Sequence, residues 1–387
     1  MRGVAGFLFL SVLAAPALAL PRSDPRADAV IDHAVAAMGG LDRIHAIRSL
    51  VMRGFHYEGS YHQEYAASHS GSAVMVRMRP NLRLVGCRPE VPGCNGQWGR
   101  ILESYDGTRG WELNWPRQRL VRTVHFAERA LRCGAEFDPL FVDWRARGFT
   151  ATWLGPQHLL GRDTVAVTIT PPDCPAETYY FDPQSYRLVM KRFAIPVHAR
   201  GAAVDSVQVV QDTRTVAGVT FPARTEEVAL ADGHVLGGGA WTVIEANTLA
   251  DTSAFQAPAV HPTGATAVVL QMLDTAGHAT PEAMMALYDA YRATPEGAAA
   301  DTVYDMNWLG YELLKVDAYP AALAVFQRVI AEHPQSAEAY DSLGDAYLQQ
   351  GDRPRALAAF EHALALDPNR PETIRKRDGL RGNAPRG

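Results

Sequence analysis

The chain has 387 residues, of which 47% are hydrophobic and 20% charged, and its formal net charge is −5. This composition is typical of a globular protein long enough for two or three domains. The slightly acidic balance and the lack of any basic block exclude the usual signature of a nucleic-acid-binding protein.

The first residues have the pattern of an export signal. Arg2 precedes a run of small and apolar residues at 4–15, and residues 17–19 read Ala-Leu-Ala, a typical cleavage site. We therefore expect residues 1–19 to be removed after Ala19 and the mature protein to be periplasmic or secreted. The apolar run is too short for a membrane span, and we expect no transmembrane segment elsewhere.

From residue 49 to about residue 250 the pattern is that of β-strands, after two short helices that Gly39 and Gly40 separate. The strongest turn signal is Asp106-Gly107, between two arms rich in β-forming residues. At least nine strands at hairpin spacing indicate an antiparallel sheet or barrel. Helices predicted over residues 125–137 and 139–147 interrupt it.

Apolar residues alternate along these strands and place large side chains on one face. Trp111, Leu113 and Trp115 share such a face, which lines either a packed core or a ligand cavity, and both interpretations stay open. The candidate cavity residues are Val74, Val76, Met78, Trp111, Leu113, Trp115, Val165, Val167, Ile169, Trp241 and Val243.

Four cysteines follow the predicted cleavage site, which places them in an oxidising compartment. Cys87 and Cys94 flank a turn-rich segment, so a disulfide between them is favoured, which leaves Cys133 with Cys174. Four cysteines allow three pairings, and the sequence does not decide among them. Because no cysteine pair has metal-ligand spacing, we expect no metal ion and no other cofactor.

Residues 259–280 are predicted to be a linker because Pro, Gly, Ala and Thr dominate them. The helical pattern of residues 281–381 contains an internal repeat of 34 residues over 303–336 and 337–370. The recurring pairs are Leu309 and Leu343, Gly310 and Gly344, Ala322 and Ala356, Phe326 and Phe360, and Pro334 and Pro368. This pattern resembles the tetratricopeptide repeat (TPR). Two repeats alone are marginal, so flanking helices are expected to cap the stack.

The TPR resemblance implies a concave groove formed by the first helix of each repeat. The groove residues would be Tyr304, Asn307, Tyr311, Glu338, Asp341 and Asp345. The carboxylate clamp of this family uses Lys, Arg and Asn at such positions, whereas this chain has acids and tyrosines. We therefore expect a basic or apolar segment of a protein partner. The alternative is a solvated face without a partner.

Several short motifs within residues 24–258 resemble the LolA- and LolB-like lipoprotein carriers. They are residues 37–41 (Ala-Met-Gly-Gly-Leu), residues 104–107 (Ser-Tyr-Asp-Gly) with Trp111, residues 180–182 (Tyr-Phe-Asp), and Phe255 near the end. The resemblance implies an α+β fold, in which an incomplete antiparallel β-barrel, or half-barrel, curves around helices and holds acyl chains. The all-α TPR domain follows it.

The favoured function is that of an exported protein that binds a hydrophobic ligand, either a lipid or a lipoprotein acyl chain, and a protein partner through its TPR repeats. The alternative is a TPR interaction scaffold with a packed, non-binding β-domain. A hydrolase would need a nucleophile, and the chain lacks a Gly-x-Ser-x-Gly elbow. We therefore expect no catalytic residues.

Overall fold

A computed structural model describes residues 24–58, 71–123, 125–196, 203–230, 233–276 and 279–382, so the predicted signal sequence lies outside the described residues. Helix α1 (Pro25–Met38) begins where the Asp24 side chain accepts a hydrogen bond from the backbone of Arg26. It ends at Gly39, whose φ is +134° and where a Cβ would lie 2.2 Å from a backbone oxygen. Glycine thus lets the chain turn into α2 (Leu41–Ala46).

Within the described residues, thirteen strands form one antiparallel sheet in the order β6-β5-β4-β3-β2-β1-β13-β12-β11-β10-β9-β8-β7. Consecutive strands pair, and β1 pairs with β13, so the free edges within the described sheet are β6 and β7. The sheet is a barrel left open between them, which confirms the predicted fold class. The strands are β1 (Ser49–Glu58), β2 (Gly71–Met78), β3 (Leu82–Val85), β4 (Ile101–Tyr105), β5 (Gly110–Asn114), β6 (Arg119–Arg122), β7 (Thr150–Leu159), β8 (Arg162–Thr170), β9 (Glu177–Phe181), β10 (Leu188–Pro196), β11 (Ala203–Val216), β12 (Val219–Ala229) and β13 (Val235–Ala246).

The insert between the two free edges begins with α3 (His125–Gly134) and continues as turns to residue 149. The helix predicted over residues 139–147 is therefore wrong. Asp143 adopts a left-handed φ of +51°, which a continuing right-handed helix excludes. The turns instead bury Phe141 and Trp144 against the inner side of the sheet.

The two faces of the sheet carry separate cores. The inner core contains α1, α2 and the insert, and Leu50 and Met52 of β1 point into it. The outer core lies on the opposite face, where Val51 points. The Cys87–Cys94 loop and the segment around Phe255 cover the outer core, and the Trp111 indole N–H donates to the Phe255 carbonyl at 2.8 Å.

The rest of the described chain is helical, and no helix in these ranges combines the length and apolarity needed to cross a membrane. The expectation of a linker over residues 259–280 requires correction, because α4 buries Val269 and Met272 in the helical core. The sequence pattern did not predict this helix because small residues at its start weaken the apolar periodicity. The helices are α4 (Gly264–Thr275), α5 (Pro281–Arg292), α6 (Pro295–Ala299), α7 (Val303–Lys315), α8 (Tyr319–Glu332), α9 (Ala337–Gln349), α10 (Arg353–Leu366) and α11 (Pro371–Gly382).

The 34-residue repeat corresponds to one contact made twice. Gly310 of α7 lies against Phe326 of α8, and Gly344 of α9 lies against Phe360 of α10. A Cβ at either glycine would lie 2.4 Å from the phenylalanine ring, so each helix pair needs glycine for its close approach. The helix pairs α7/α8 and α9/α10 are the two predicted repeats.

A buried carboxylate joins the sheet to the helical domain. Asp305 of α7 is 1% exposed and accepts hydrogen bonds from Arg117 at 2.6 Å and from Arg119 at 3.5 Å. Asp305 also accepts a hydrogen bond from the hydroxyl of Thr266, on the neighbouring helix α4, at 3.1 Å. The Arg119 guanidinium also lies 4.0 Å from the centre of the Trp308 ring. The start of the free edge strand β6, at Arg119, and the preceding Arg117 are thus held by the helical domain.

We expect Asp305→Ala to lower the free energy of unfolding by about 3 kcal/mol, because it leaves the buried Arg119 without its counter-charge. Asp274→Ala, at an exposed aspartate of α4, is the control and should change little. Urea unfolding measures both, and X-ray scattering should show a larger radius of gyration for Asp305→Ala. Equal stability of the two variants would contradict this account of the domain contact.

The disulfides join Cys87 to Cys94 and Cys133 to Cys174, with sequence separations of 7 and 41. The longer one ties the insert to the loop between β8 and β9. Since loop-closure entropy grows with loop length, replacing Cys133 and Cys174 by Ser should cost about 4 kcal/mol, against about 2.5 kcal/mol for Cys87 and Cys94. Urea unfolding of the two double variants tests this order, which the opposite ranking would refute.

Candidate functional site

A cavity of about 370 Å³ lies inside the half-barrel, between the sheet and the elements that fill it. The end of α1, α2 and the insert cover it on one side, and strands from both halves of the sheet form the other. Most of its wall is apolar. The apolar lining residues are Met38, Ile44, Ile47, Leu50, Met52, Met75, Phe137, Leu140, Leu188, Val219, Phe221 and Trp241.

Charged side chains also reach this cavity, from β2, β9, β10 and the insert, and from Arg187 just before β10. The three carboxylates among them are each ion-paired. Glu136 contacts Arg147 at 2.5 Å, and Glu177 contacts Lys191 at 3.1 Å. The third, Asp138, accepts from Arg79 at 2.8 Å. These acids are therefore neutralised by the protein itself.

Arg77 of β2 is a cation of the cavity wall that contacts backbone carbonyls, whereas Lys191 pairs with a carboxylate. The Nη2 of Arg77 donates to the backbone carbonyls of Gly134, at 3.4 Å, and of Glu136, while its buried Nε has no hydrogen-bond partner among the described residues. Burial, with a further contribution from neighbouring Arg83, lowers the pKa of Arg77 to about 10. The guanidinium thus stays charged at neutral pH.

Tyr179 holds the insert against the sheet. Its hydroxyl accepts a hydrogen bond from the backbone of Leu140 at 3.0 Å and donates to Glu177. The Phe141 ring packs edge-on against it with centroids 4.9 Å apart. Burial, followed by the charge of Glu177, raises the pKa of Tyr179 well above its usual value, so the phenol stays protonated.

Of the predicted cavity residues, Trp241 lines this cavity. Val165, Val167 and Ile169 belong to the inner core but do not reach the cavity wall. Val243 is half-buried opposite Arg53 of β1. The others lie in the outer core, on the opposite face of the sheet: Val74, Val76, Met78, Trp111, Leu113 and Trp115.

The alternation of side chains along a strand explains why several predicted cavity residues lie on the outer face instead. Alternation predicts that residues of a strand share a face, but not which face points inward. In β2 the inward residues are Met75 and Arg77, which an apolar pattern does not single out. The two tryptophans at 111 and 115 pack in the outer core because the Cys87–Cys94 loop and the Phe255 segment cover that face.

The predicted TPR groove residues contact one another and the chain's own elements. Asn307 donates to Glu338 at 3.4 Å, and the Tyr311 hydroxyl donates to Asp345 at 2.9 Å. Tyr304 instead faces the sheet, with its ring 4.2 Å from the Arg117 guanidinium.

The tail helix α11 covers the acidic part of the groove. Lys376 lies 2.9 Å from both Asp341 and Asp345, and Thr373 donates to Asp341 at 2.8 Å. Burial opposes the charge of Lys376, but the two carboxylates outweigh it and raise the pKa of Lys376. The basic segment expected for this groove is thus supplied by the chain itself.

Residues 316–369 match the tetratricopeptide repeat family. A chloroplast TPR-domain protein of Arabidopsis thaliana, PYG7, is 33% identical over 86 residues, which are 22% of this chain and 29% of that protein. The cellulose synthase operon protein C of Escherichia coli K12 is 38% identical over 82 residues, which are 21% of this chain and 6% of that protein. The chain therefore spans under a third of these curated relatives.

Solved structures resemble the N-terminal region. A LolA superfamily protein from Nitrosomonas europaea is 10% identical with a TM-score of 0.39, and the match covers 60% of this chain and 97% of that one. A DUF1329 family protein from Desulfovibrio piger is 9% identical with a TM-score of 0.39, covering 61% and 99%. The chain thus carries C-terminal tetratricopeptide repeats, and its N-terminal half-barrel is similar to structures of the LolA superfamily.

Proposed function

We propose that this is an exported binding protein whose half-barrel takes a hydrophobic ligand, a lipid or an acyl chain, and whose TPR repeats dock a protein partner. The observation that carries the proposal is the largely apolar cavity of about 370 Å³ beside an otherwise packed inner core. Its volume falls within the range of about 300–1,000 Å³ typical of small-molecule sites.

The energetics favour an aliphatic ligand. Each methylene group buried in such a cavity contributes about 0.8 kcal/mol, so a chain of moderate length would bind tightly even after its ordering is counted. Met38, Met52 and Met75 add flexible side chains to the wall, which adapt to ligands of varied shape.

Both disulfides support an oxidising compartment, and hence the proposed export with cleavage after Ala19. Metal or cofactor chemistry is not part of the proposal, and neither is catalysis.

The second candidate function is that of an interaction scaffold in which only the helical repeats bind. The contact of Lys376 with Asp341 and Asp345 supports it, because the acidic part of the groove pairs with a cation of the chain's own tail helix. In this case the half-barrel would be a support without a ligand.

Met75→Trp tests the cavity directly, because a larger side chain on the wall would fill the space. We expect this variant to lose binding of N-phenyl-1-naphthylamine, a neutral apolar fluorescent probe, by about tenfold or more, since several buried contacts disappear. Fluorescence titration of the purified protein measures the affinity.

Ser72→Trp, at an exposed position of the same strand, is the matched control and should bind the probe like the wild type. If the wild type does not bind the probe, or if Met75→Trp binds it equally well, the half-barrel is not a ligand site and the scaffold function is favoured.

The groove is tested by Lys376→Met. This substitution leaves Asp341 and Asp345 without their cation, so we expect tighter binding of a fluorescent lysine-rich peptide and lower stability of the helical domain, by about 2 kcal/mol. Fluorescence anisotropy measures the peptide. Arg381→Met on the same helix, which removes an exposed pair with Glu361, is the control. Identical peptide binding by the two variants would argue against a groove for basic segments.

A further inference from the structure

We propose that the ligand of the half-barrel is a single-chain amphiphile with a carboxylate head, a long-chain fatty acid, and that Arg77 binds the head. This inference rests on the proposed function and specifies the chemistry of its ligand. It is carried by the contacts of Arg77 and by the distribution of charge around the cavity.

The first argument is charge balance. Each carboxylate of the cavity wall already has a cation: Arg147 for Glu136, Arg79 for Asp138, and Lys191 for Glu177. Arg77 has no carboxylate within ion-pair distance among the described residues, and its guanidinium is bonded to backbone carbonyls. Among the described residues, Arg77 is therefore a cation of the wall without a direct ion pair. The charges of Asp138, Glu177 and Glu136 act on it from beyond ion-pair distance, and a second arginine, Arg187, lines the same wall.

The second argument is the unused donor. A guanidinium has five N–H groups, and an unpaired charged donor removed from water costs more than a neutral one. The Nε of Arg77 is buried without a hydrogen-bond partner in the described chain. A carboxylate in the cavity would attract the guanidinium, and a small rotation of the Arg77 side chain would let Nε donate a charge-assisted hydrogen bond to it, the stronger class of hydrogen bond in proteins.

The third argument is the shape of the site. Charged lining residues come from β2, β9, β10, the residue before β10 and the insert, which also contribute apolar residues such as Met75, Phe137 and Leu188. The lining residues from α1, α2, β1, β12 and β13 include none that is charged, so the charge is concentrated on one part of the wall. At about 370 Å³ it lies at the small end of ligand sites, which favours one acyl chain over a lipid with two or three.

The experiment compares palmitate with hexadecan-1-ol, which has the same chain and an uncharged head. Displacement of N-phenyl-1-naphthylamine from the full-length protein at pH 7.5 measures the affinity of each. We expect palmitate to bind about 10- to 100-fold more tightly than the alcohol, the range of a hydrogen bond to a charged group.

Arg77→Met should abolish this preference by weakening palmitate and leaving the alcohol nearly unchanged. Arg77→Lys keeps the charge and should retain part of the preference. Arg192→Met is the control, because Arg192 follows Lys191 on β10 but ion-pairs with Asp205 outside the cavity. It should bind both ligands like the wild type, and circular dichroism verifies that all variants fold.

The outcomes separate this inference from the function on which it rests. If neither ligand displaces the probe from the wild type, the proposed function fails. If both displace it equally, the half-barrel binds apolar chains but the carboxylate assignment is overturned. If Arg77→Met weakens both ligands to the same degree, Arg77 acts only by holding the insert through the Gly134 and Glu136 carbonyls, and the assignment is likewise overturned.

Discussion

The structure depends on a sheet that curves toward closure without completing it. Pairing of β1 with β13 joins the two halves of the sheet and leaves β6 and β7 as edges. Exposed edges invite pairing with other chains, so both need protection. The insert between these strands fills the interior, while the Asp305 contacts hold the helical domain on the β6 side.

The cavity exists because the insert fills the half-barrel only in part. The aromatic residues of the insert pack beside α1. Polar contacts with Arg77, Arg147 and Tyr179 hold the segment around Glu136 away from α1. The Cys133–Cys174 disulfide anchors this segment to the far half of the sheet. Groups that stabilise the insert therefore also shape the cavity beneath it.

Repeats and turns were the features most accessible from the sequence, because both depend on local contacts. The glycine–phenylalanine contact recurs after 34 residues in sequence and in space, and Asp106-Gly107 connects β4 and β5 as predicted. Two features were predicted wrongly: helix α4 as a linker, and the segment around the left-handed Asp143 as a helix. In each case packing against distant residues outweighed a weak local signal.

The sequence by itself determined an antiparallel β-domain, the helical repeats and the alternation of each strand, since these follow from periodicity and turn chemistry. The half-barrel was implied by the resemblance to lipoprotein carriers. Only the tertiary structure decided which face of each strand points inward, and so moved Trp111 and Trp115 to the outer core and Met75 and Arg77 to the cavity. The physical reason is that a strand's inward face is chosen by what covers its two sides. Those covering segments are distant in sequence, and no local pattern encodes their position.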